Sequence, residues 1–415
     1  MGQTLANYDA MLKEFYLPEA IDALPDMVEM YDEVKRTSKG WTGNKIIEPV
    51  RLSRNVGKGA RAVGGTMPTP GYQTTEEHQI QAKYNYQTIQ LSGQVMKASA
   101  NTTGAFAKAM TYEMSMAMKD ITNDIDRQLL HDGVGNIGVI LSGTSSATQT
   151  LEYAGAASGS VSRQPGTRFL QVGDLVLIGT AIEHGFTGAP EVATVSSITD
   201  RNTVVFAASE STVTADIVCF GAAANAANTN YNNEIQGVEA AMITSGAYQN
   251  INHANFKANV LNNPAGALTN RSLTTTLMQQ AVDEPWDNAG SKVDLIYGHT
   301  SMRMEYLDLM YPDRRYNTGK NMDAGYTGEL SFNDIRMKFF RNAPYNILRF
   351  LNRGTWTLYH LGGMLHWFDL DGSVLSRVSG VDAVDARLQT YCNLGCNNPR
   401  ANCALNDITV TLRAT

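Results

Sequence analysis

Between Asn101 and Gly133 the chain carries an apolar stripe that one kind of local structure satisfies. Phe106, Met110, Met114, Ala117, Ile121, Ile125 and Leu129 recur at intervals of three or four residues, the repeat of one face of an α-helix. Asn101-Thr102-Thr103 offers capping side chains before Gly104, and His131-Asp132-Gly133 supplies a glycine stop. The spacing predicts a helix of about 28 residues, ~42 Å long at its standard rise. Lys108, Lys119, Asp120, Asp124 and Arg127 lie off the stripe. Its methionines read as core packing rather than as a cofactor site.

Residues 5–36 read as helical, broken by Pro18 and Pro25 and anchored by Leu12, Phe15, Tyr16, Ile21 and Leu24. A strand is expected over 45–52 and a second over 83–97, where Tyr84, Tyr86, Ile89, Leu91 and Val95 alternate with polar residues. Between them, residues 53–82 hold Gly57, Gly59, Gly64, Gly65, Pro68, Pro70 and Gly71 with few apolar residues. A loop this long is uncommon in a compact domain and usually carries a function. The expectation is a long two-stranded hairpin with that loop at its tip.

After the helix, residues 134–232 turn rich in Gly, Ala, Ser, Thr and Val, with short β-runs at 170–178, 191–198, 203–207 and 212–220. Asp200-Arg201-Asn202 makes a turn between two of them, which suggests a small all-β module inserted into a mixed chain. From 234 the pattern returns to α/β. Helices are expected at 272–284 and 300–310, and strands at 293–297, 335–341, 346–351, 355–360 and 364–368. A last long strand at 384–393 and a tail strand at 408–412 complete an α+β chain.

Charge is scarce and unevenly placed. Only 18% of residues are charged, against about 25% in ordinary domains, which points to extensive subunit contact. Residues 1–34 hold Lys13 against Asp9, Glu14, Glu19, Asp22, Asp26, Glu29, Asp32 and Glu33. Residues 35–61 reverse the balance, with Lys35, Arg36, Lys39, Lys45, Arg51, Arg54, Lys58 and Arg61 against Glu48. Two solvated faces would explain this, as would a self-complementary pair where copies of the chain meet. Nucleic acid is a third partner for the basic ribbon. Without aromatic interleaving or a recognised motif, and at net charge -7, the ribbon is not a sequence-specific reader.

The remaining composition excludes several classes. With 43% hydrophobic residues the chain has the apolar surface to fold. Apolar runs such as Leu175-Val176-Leu177-Ile178 fall far short of the ~18 residues of a membrane span. Met1 to Ala10 shows no secretory pattern, and Ala6 stands where myristoylation wants Ser or Thr. Synthesis in a cytoplasm without export is expected.

Motifs for chemistry are largely missing. Gly57-Lys58-Gly59-Ala60-Arg61-Ala62 lacks the third glycine and following helix of a dinucleotide site. The seven histidines are scattered, without HExxH, and Asp369-Leu370-Asp371-Gly372 brings its glycine too early for a calcium loop and reads as a turn. No GxSxG is present, and Glu76-Glu77 point apart on an extended segment. Cys392, Cys396 and Cys403 lie within twelve residues. Zinc needs a fourth ligand, and Cys219 is remote in sequence. Free thiols and a disulfide within the trio both stay open, with a metal or redox enzyme as a remote alternative. No cofactor, metal site or catalytic residue is assigned.

Two stretches carry a resemblance. Tyr86-Gln87-Thr88-Ile89-Gln90-Leu91-Ser92-Gly93-Gln94-Val95-Met96-Lys97-Ala98-Ser99 runs into the long helix, which ends in Arg127-Gln128-Leu129-Leu130-His131-Asp132-Gly133-Val134-Gly135. This resembles the strand, spine helix and Gly-Asp-Gly-Thr-Gly-like stop of tailed-bacteriophage major capsid proteins, the Hong Kong 97-type fold; His131 and Val134 depart from that stop. Glu234-Ile235-Gln236-Gly237 is similar to the strand that resumes after a β-insertion in some of these proteins.

The resemblance implies an N-terminal arm over 1–40 and an extended loop with flanking strands over 41–97. It further implies a peripheral domain over 98–133 and 380–412 with the spine helix, a β-rich insertion over 134–233 and an axial domain over 234–379. Such subunits form hexamers and pentamers of an icosahedral shell around double-stranded DNA, held without sequence specificity. Arm and loop reach across neighbours, so Arg54, Lys58 and Arg61 would meet Asp22, Asp26 and Glu29 of adjacent chains. One type of family member joins a loop lysine to a neighbour's asparagine, for which Lys58 with Asn393 or Asn397 are the candidates; no carboxylate acceptor is identified. Met1 begins directly at the arm, which favours a separate scaffold protein, besides a portal and a decoration protein. Assembly in a bacterial host cytoplasm and residence in the virion, with no membrane, follow. An encapsulin-like compartment of the same fold, holding cargo enzymes, is the alternative.

Overall fold

The computed structural model describes residues 28–38, 41, 43–98, 109–141, 145–153, 165–180, 190–221, 229–263, 270–314, 330–369 and 373–410. From the N-terminal side come α1 (Met30–Glu33), β1 (Lys35–Thr37), β2 (Lys45–Arg51), β3 (Thr75–Gln81), β4 (Lys83–Ser92), α2 (Gly93–Ala98) and α3 (Ala109–Leu129). Six strands follow: β5 (Asn136–Ile140), β6 (Ser145–Glu152), β7 (Leu175–Gly179), β8 (Glu191–Ile198), β9 (Thr203–Ser211) and β10 (Ile217–Phe220). Next are α4 (Val238–Ala241), β11 (Asn259–Leu261), α5 (Thr275–Ala289), β12 (Leu295–His299), α6 (Thr300–Arg314), β13 (Ser331–Phe332), β14 (Ile335–Phe340) and β15 (Leu348–Leu351). The chain closes with β16 (Trp356–His360), β17 (His366–Trp367), β18 (Ser376–Arg377), β19 (Ala383–Cys396) and β20 (Cys403–Leu405).

Two compact units share these elements, and both α3 and β19 begin in one and end in the other. The smaller unit includes Asn85–Asn123 and Leu365–Thr390. Within it β17 and β18 pair antiparallel with β19, as His366↔Gln389 and Ser376↔Asp385. Gly93 opens α2 hard against Asp382: its N–H donates to the Asp382 carbonyl at 2.9 Å. A Cβ there would lie 2.4 Å from the Asp382 carboxylate, so a larger residue would have to push that side chain aside.

The larger unit holds a barrel, a mixed sheet, the β2–β3 hairpin and part of a further sheet. Strands β10-β5-β6-β9-β8-β7 close into a barrel. Its interior is filled by Ile137, Leu151, Val176, Ile178, Ala193, Val195, Val204, Phe206 and Val218, the alternate inward residues of β-branched runs. A mixed sheet, β11-β20-β15-β12-β14-β13, buries Ile296, Leu348, Phe350 and Leu405 against Met278 and Ala281 of α5 and Met302 and Tyr306 of α6. Thr274 caps α5 by accepting the Leu277 N–H at 3.2 Å, and Gly290, at φ 62°, ends it. A third sheet runs β1-β16-β19.

Sequence expectations fail at five places. The strand paired with β2 is β3, inside the stretch read as loop, with Lys45↔Gln81 through Arg51↔Thr75; β4 pairs with β19 instead. β3 reads Thr-Glu-Glu-His-Gln-Ile-Gln and buries only His78 and Ile80, too faint an alternation to detect. Residues 93–98 are helical rather than extended, and Lys35–Thr37 is a strand rather than the end of a helix. In the tail, Ile408 makes only an isolated bridge to Arg271. Finally, Arg127, off the apolar stripe, is 4% exposed.

That arginine joins the two stretches that carried the resemblance. Ile125 and Leu129 are fully buried, and the three polar residues between them are buried too. Arg127 makes a fork of two hydrogen bonds to Glu234 and a third, at 2.9 Å, to Asp124. Gln128 accepts the Ile235 N–H at 3.0 Å and donates to Asp124 at 2.7 Å. Gly237 sits against the carbonyls that end α3: a Cβ would lie 2.4 Å from those of Gln128 and Leu129. Gly133, at φ 83°, would likewise strike the Ile235 carbonyl with any side chain. Charge this deeply buried is tolerable only when paired and hydrogen-bonded. E234Q should therefore destabilise the subunit by about 3–5 kcal/mol, and the R127M/E234M pair should recover most of that loss in urea unfolding.

Candidate assembly surfaces

The hairpin β2–β3 has a fixed base and a projecting tip. At the base Trp41, Ile46, Ile80 and Ala82 pack with Tyr359 and Leu361. His78 is fully buried between the rings of Tyr248 and Phe256, with Nδ1 3.6 Å from a Glu48 carboxylate oxygen. The other oxygen of Glu48 accepts the Tyr359 hydroxyl at 2.6 Å. His78, against the opposing effect of burial and with help from Tyr359, holds the Glu48 carboxyl below its ordinary pKa.

Beyond Leu52 the loop doubles back on itself. Asn55 donates to the Gly71 carbonyl at 2.9 Å and accepts the Gly57 N–H at 2.7 Å. The two limbs come so close that a Cβ on Gly57 would lie 2.8 Å from Gly71 N and Thr69 O. Arg61 braces the tip through the carbonyls of Thr66, at 2.8 Å, and Ala60, at 3.1 Å. Arg54, Lys58 and Arg61 are all exposed, and among the described residues none of them makes an ion pair. Val56, Met67 and Tyr72 are 79%, 85% and 82% exposed, and Val63 is fully so. The ribbon thus offers cations and apolar side chains together, and the described residues bury neither.

The acidic segment is placed differently. Asp22 and Asp26 lie outside the described residues. Glu29 accepts the Arg341 N–H at 2.8 Å within its own chain, and burial raises its pKa. Next to it, Asp126 of α3 accepts the N–H groups of Met30, at 2.7 Å, and Tyr31, at 3.0 Å. Burial raises the Asp126 pKa although these donors oppose it. Glu33 takes Arg336, Lys338 and Arg353 together. Burial alone would raise its pKa, but the three cations outweigh it and hold the carboxyl below the usual range. Sequence reasoning missed both anchors: Asp126 lies within a polar run, Asp126-Arg127-Gln128, and Glu33 has no local mark at all.

The C-terminal cysteines, left open to a disulfide by their spacing, are free thiols. Cys392, Cys396 and Cys403 are all fully buried, and burial pushes Cys396 and Cys403 up to about 12. Among the described residues no three metal-ligating side chains come together. Lys58 and Asn397 are exposed. Asn393 is buried, its amide donating to Gln81 O at 2.8 Å and accepting from Gln236 N at 3.0 Å.

No protein-family model matches the sequence, and no curated protein matches it. Solved structures do match along the whole chain. The cyanophage A-1(L) capsid asymmetric unit superposes with a TM-score of 0.61 at 12% identity, covering 98% of this chain and 100% of that one. The capsid of the native GTA particle gives 0.57 at 8% identity, covering 99% and 100%. The chain has the Hong Kong 97-type capsid fold. The capsid fold accounts for the whole length rather than for a domain of it, barrel included. An encapsulin complex from Synechococcus elongatus PCC 7942 reaches only 0.48 at 6% identity, over 100% of this chain and 99% of that one.

The Glu33 anchor sets a pH test. A carboxyl whose folded pKa is depressed contributes stability that is complete above its unfolded pKa and is lost as pH falls through the folded value. E33Q should loosen residues 30–37 at pH 7 by about 1.5–3 kcal/mol, read as faster amide exchange there. In the unsubstituted chain the same loosening should set in only below about pH 4.5.

Proposed function

We propose that this chain is the major capsid protein of a tailed bacteriophage, its copies self-assembling into the hexamers and pentamers of an icosahedral shell. The likeness of the entire chain to the cyanophage capsid subunit carries this reading. The projecting loop supports it, because among the described residues its cations make no ion pair and its apolar residues Val56, Val63, Met67 and Tyr72 stay exposed. In this reading residues 1–40 are the arm and 41–97 the extended loop with its strands. Residues 98–133 and 380–412 form the peripheral domain, 134–233 the insertion and 234–379 the axial domain.

The shell encloses double-stranded DNA without reading its sequence. Scaffold, portal and decoration proteins act as further partners, with assembly in the bacterial cytoplasm and residence in the virion. Arg54, Lys58 and Arg61 dock on acids of an adjacent subunit; Asp22 and Asp26 remain the arm's candidates, since Glu29 is held by its own chain. Expressed with its scaffold, the protein should form megadalton shells by electron microscopy and protect DNA from nuclease during infection. Cargo protein without protected DNA would indicate an encapsulin-like compartment instead. R54E/R61E should abolish shells while leaving the subunit folded by circular dichroism, since among the described residues neither side chain makes an ion pair.

A further inference from the structure

Arg168, just before the barrel strand β7, reaches out of the barrel module. Its guanidinium donates to three successive carbonyls of the segment between β14 and β15: Arg341 and Ala343 at 3.1 Å and Asn342 at 3.3 Å. Three rings surround it, with the guanidinium carbon 4.3 Å from the ring centre of Phe169, 4.8 Å from Tyr345 and 4.9 Å from Tyr153. Tyr153 and Phe169 belong to the barrel module, whereas Tyr345 belongs to the mixed-sheet side. One cation therefore closes the joint, by hydrogen bonds and by cation–π contacts.

Two buried histidines stand behind these rings. His131, immediately after α3, lies edge-on to Tyr153 and Phe169 with centroids 5.8 and 5.6 Å apart. The Tyr153 hydroxyl lies 3.1 Å from its Nδ1. His299, at the end of β12, packs on Tyr345 at 4.0 Å. Its Nδ1 accepts the Ser301 N–H at 3.1 Å at the start of α6, a bond that an imidazolium cannot accept. The helix N-terminus there also disfavours a cation.

We propose that His131 and His299 make the Arg168 joint an acid-sensitive latch, which releases the barrel as a folded body when these imidazoles take up protons. The charged groups around the joint fit this sign. Arg168 faces both histidines and Arg127 faces His131. The carboxylates nearby, Asp132 and Glu239, act on Tyr153; Glu239 is already taken by Arg349. Burial, reinforced by these arginines, keeps His131 well below the ordinary imidazole range and His299 at about 3.

A base whose folded pKa is depressed contributes stability that is complete above its unfolded pKa, near 6.5, and falls away as pH drops toward the folded value. Between pH 6.5 and pH 5 each imidazole should favour the open joint about 16-fold, and the two together about 270-fold. Hydrogen exchange on the full chain, corrected for the intrinsic pH dependence, reads this directly. Segments 165–170 and 341–347 should lose protection by that factor, while β7 and β8 in the barrel and β12 and β15 in the sheet keep theirs. H131F/H299F should flatten the dependence. H299Q, which retains an acceptor for Ser301, should halve its slope on a logarithmic scale. Protection independent of pH in the unsubstituted chain would overturn the latch, as would joint and barrel strands opening together, or an unchanged slope in H299Q.

Discussion

The Arg127–Glu234 ion pair is the point on which the larger unit is organised. It joins the end of the long helix to the segment where the chain leaves the barrel, two stretches over a hundred residues apart. Desolvating both charges is costly, and the fork geometry together with Asp124, Gln128 and Asn230 offsets that cost. The close approach at Gly237 follows from the same junction. Asn393 then carries the network on, from Gln236 to the last residue of the hairpin. A single helical turn, Asp126 to Gln128, thus positions Met30 and Tyr31, the barrel's return segment and, through it, the hairpin base.

How legible this was depends on the kind of signal. Elements defined by burial on one face were readable. The α3 stripe, the β8 run at 191–198, the α5–β12–α6 succession and the long β19 all stand close to where alternation or helical spacing puts them. β3 was hidden because a two-stranded sheet with polar faces has almost no pattern to display. The strand at 35–37 was hidden by the helical reading of the acidic segment before it. Buried polar residues were hardest: Arg127 reads as solvent-facing by periodicity, and only its distant partner makes it a core residue.

The candidate surfaces divide along the same line. Arg54, Lys58 and Arg61 could be singled out because a basic run in a Gly/Pro loop is visible as composition. Glu33 could not, since nothing local tells an acid that gathers three cations from one that faces water. The cysteine spacing was equally mute, because free thiols and bridged cysteines share the same sequence; only the fold, which leaves all three free, separates them.

The doubled loop has one more consequence. Gly57 and Gly71 let its limbs touch without side chains between them, so the ribbon is stiffened from within while Val56, Val63, Met67 and Tyr72 face outward. A free subunit must keep those four residues hydrated, and its local cations keep that surface in solution. The loop therefore holds a stiff apolar surface in water, and its hydration costs free energy for as long as nothing covers it.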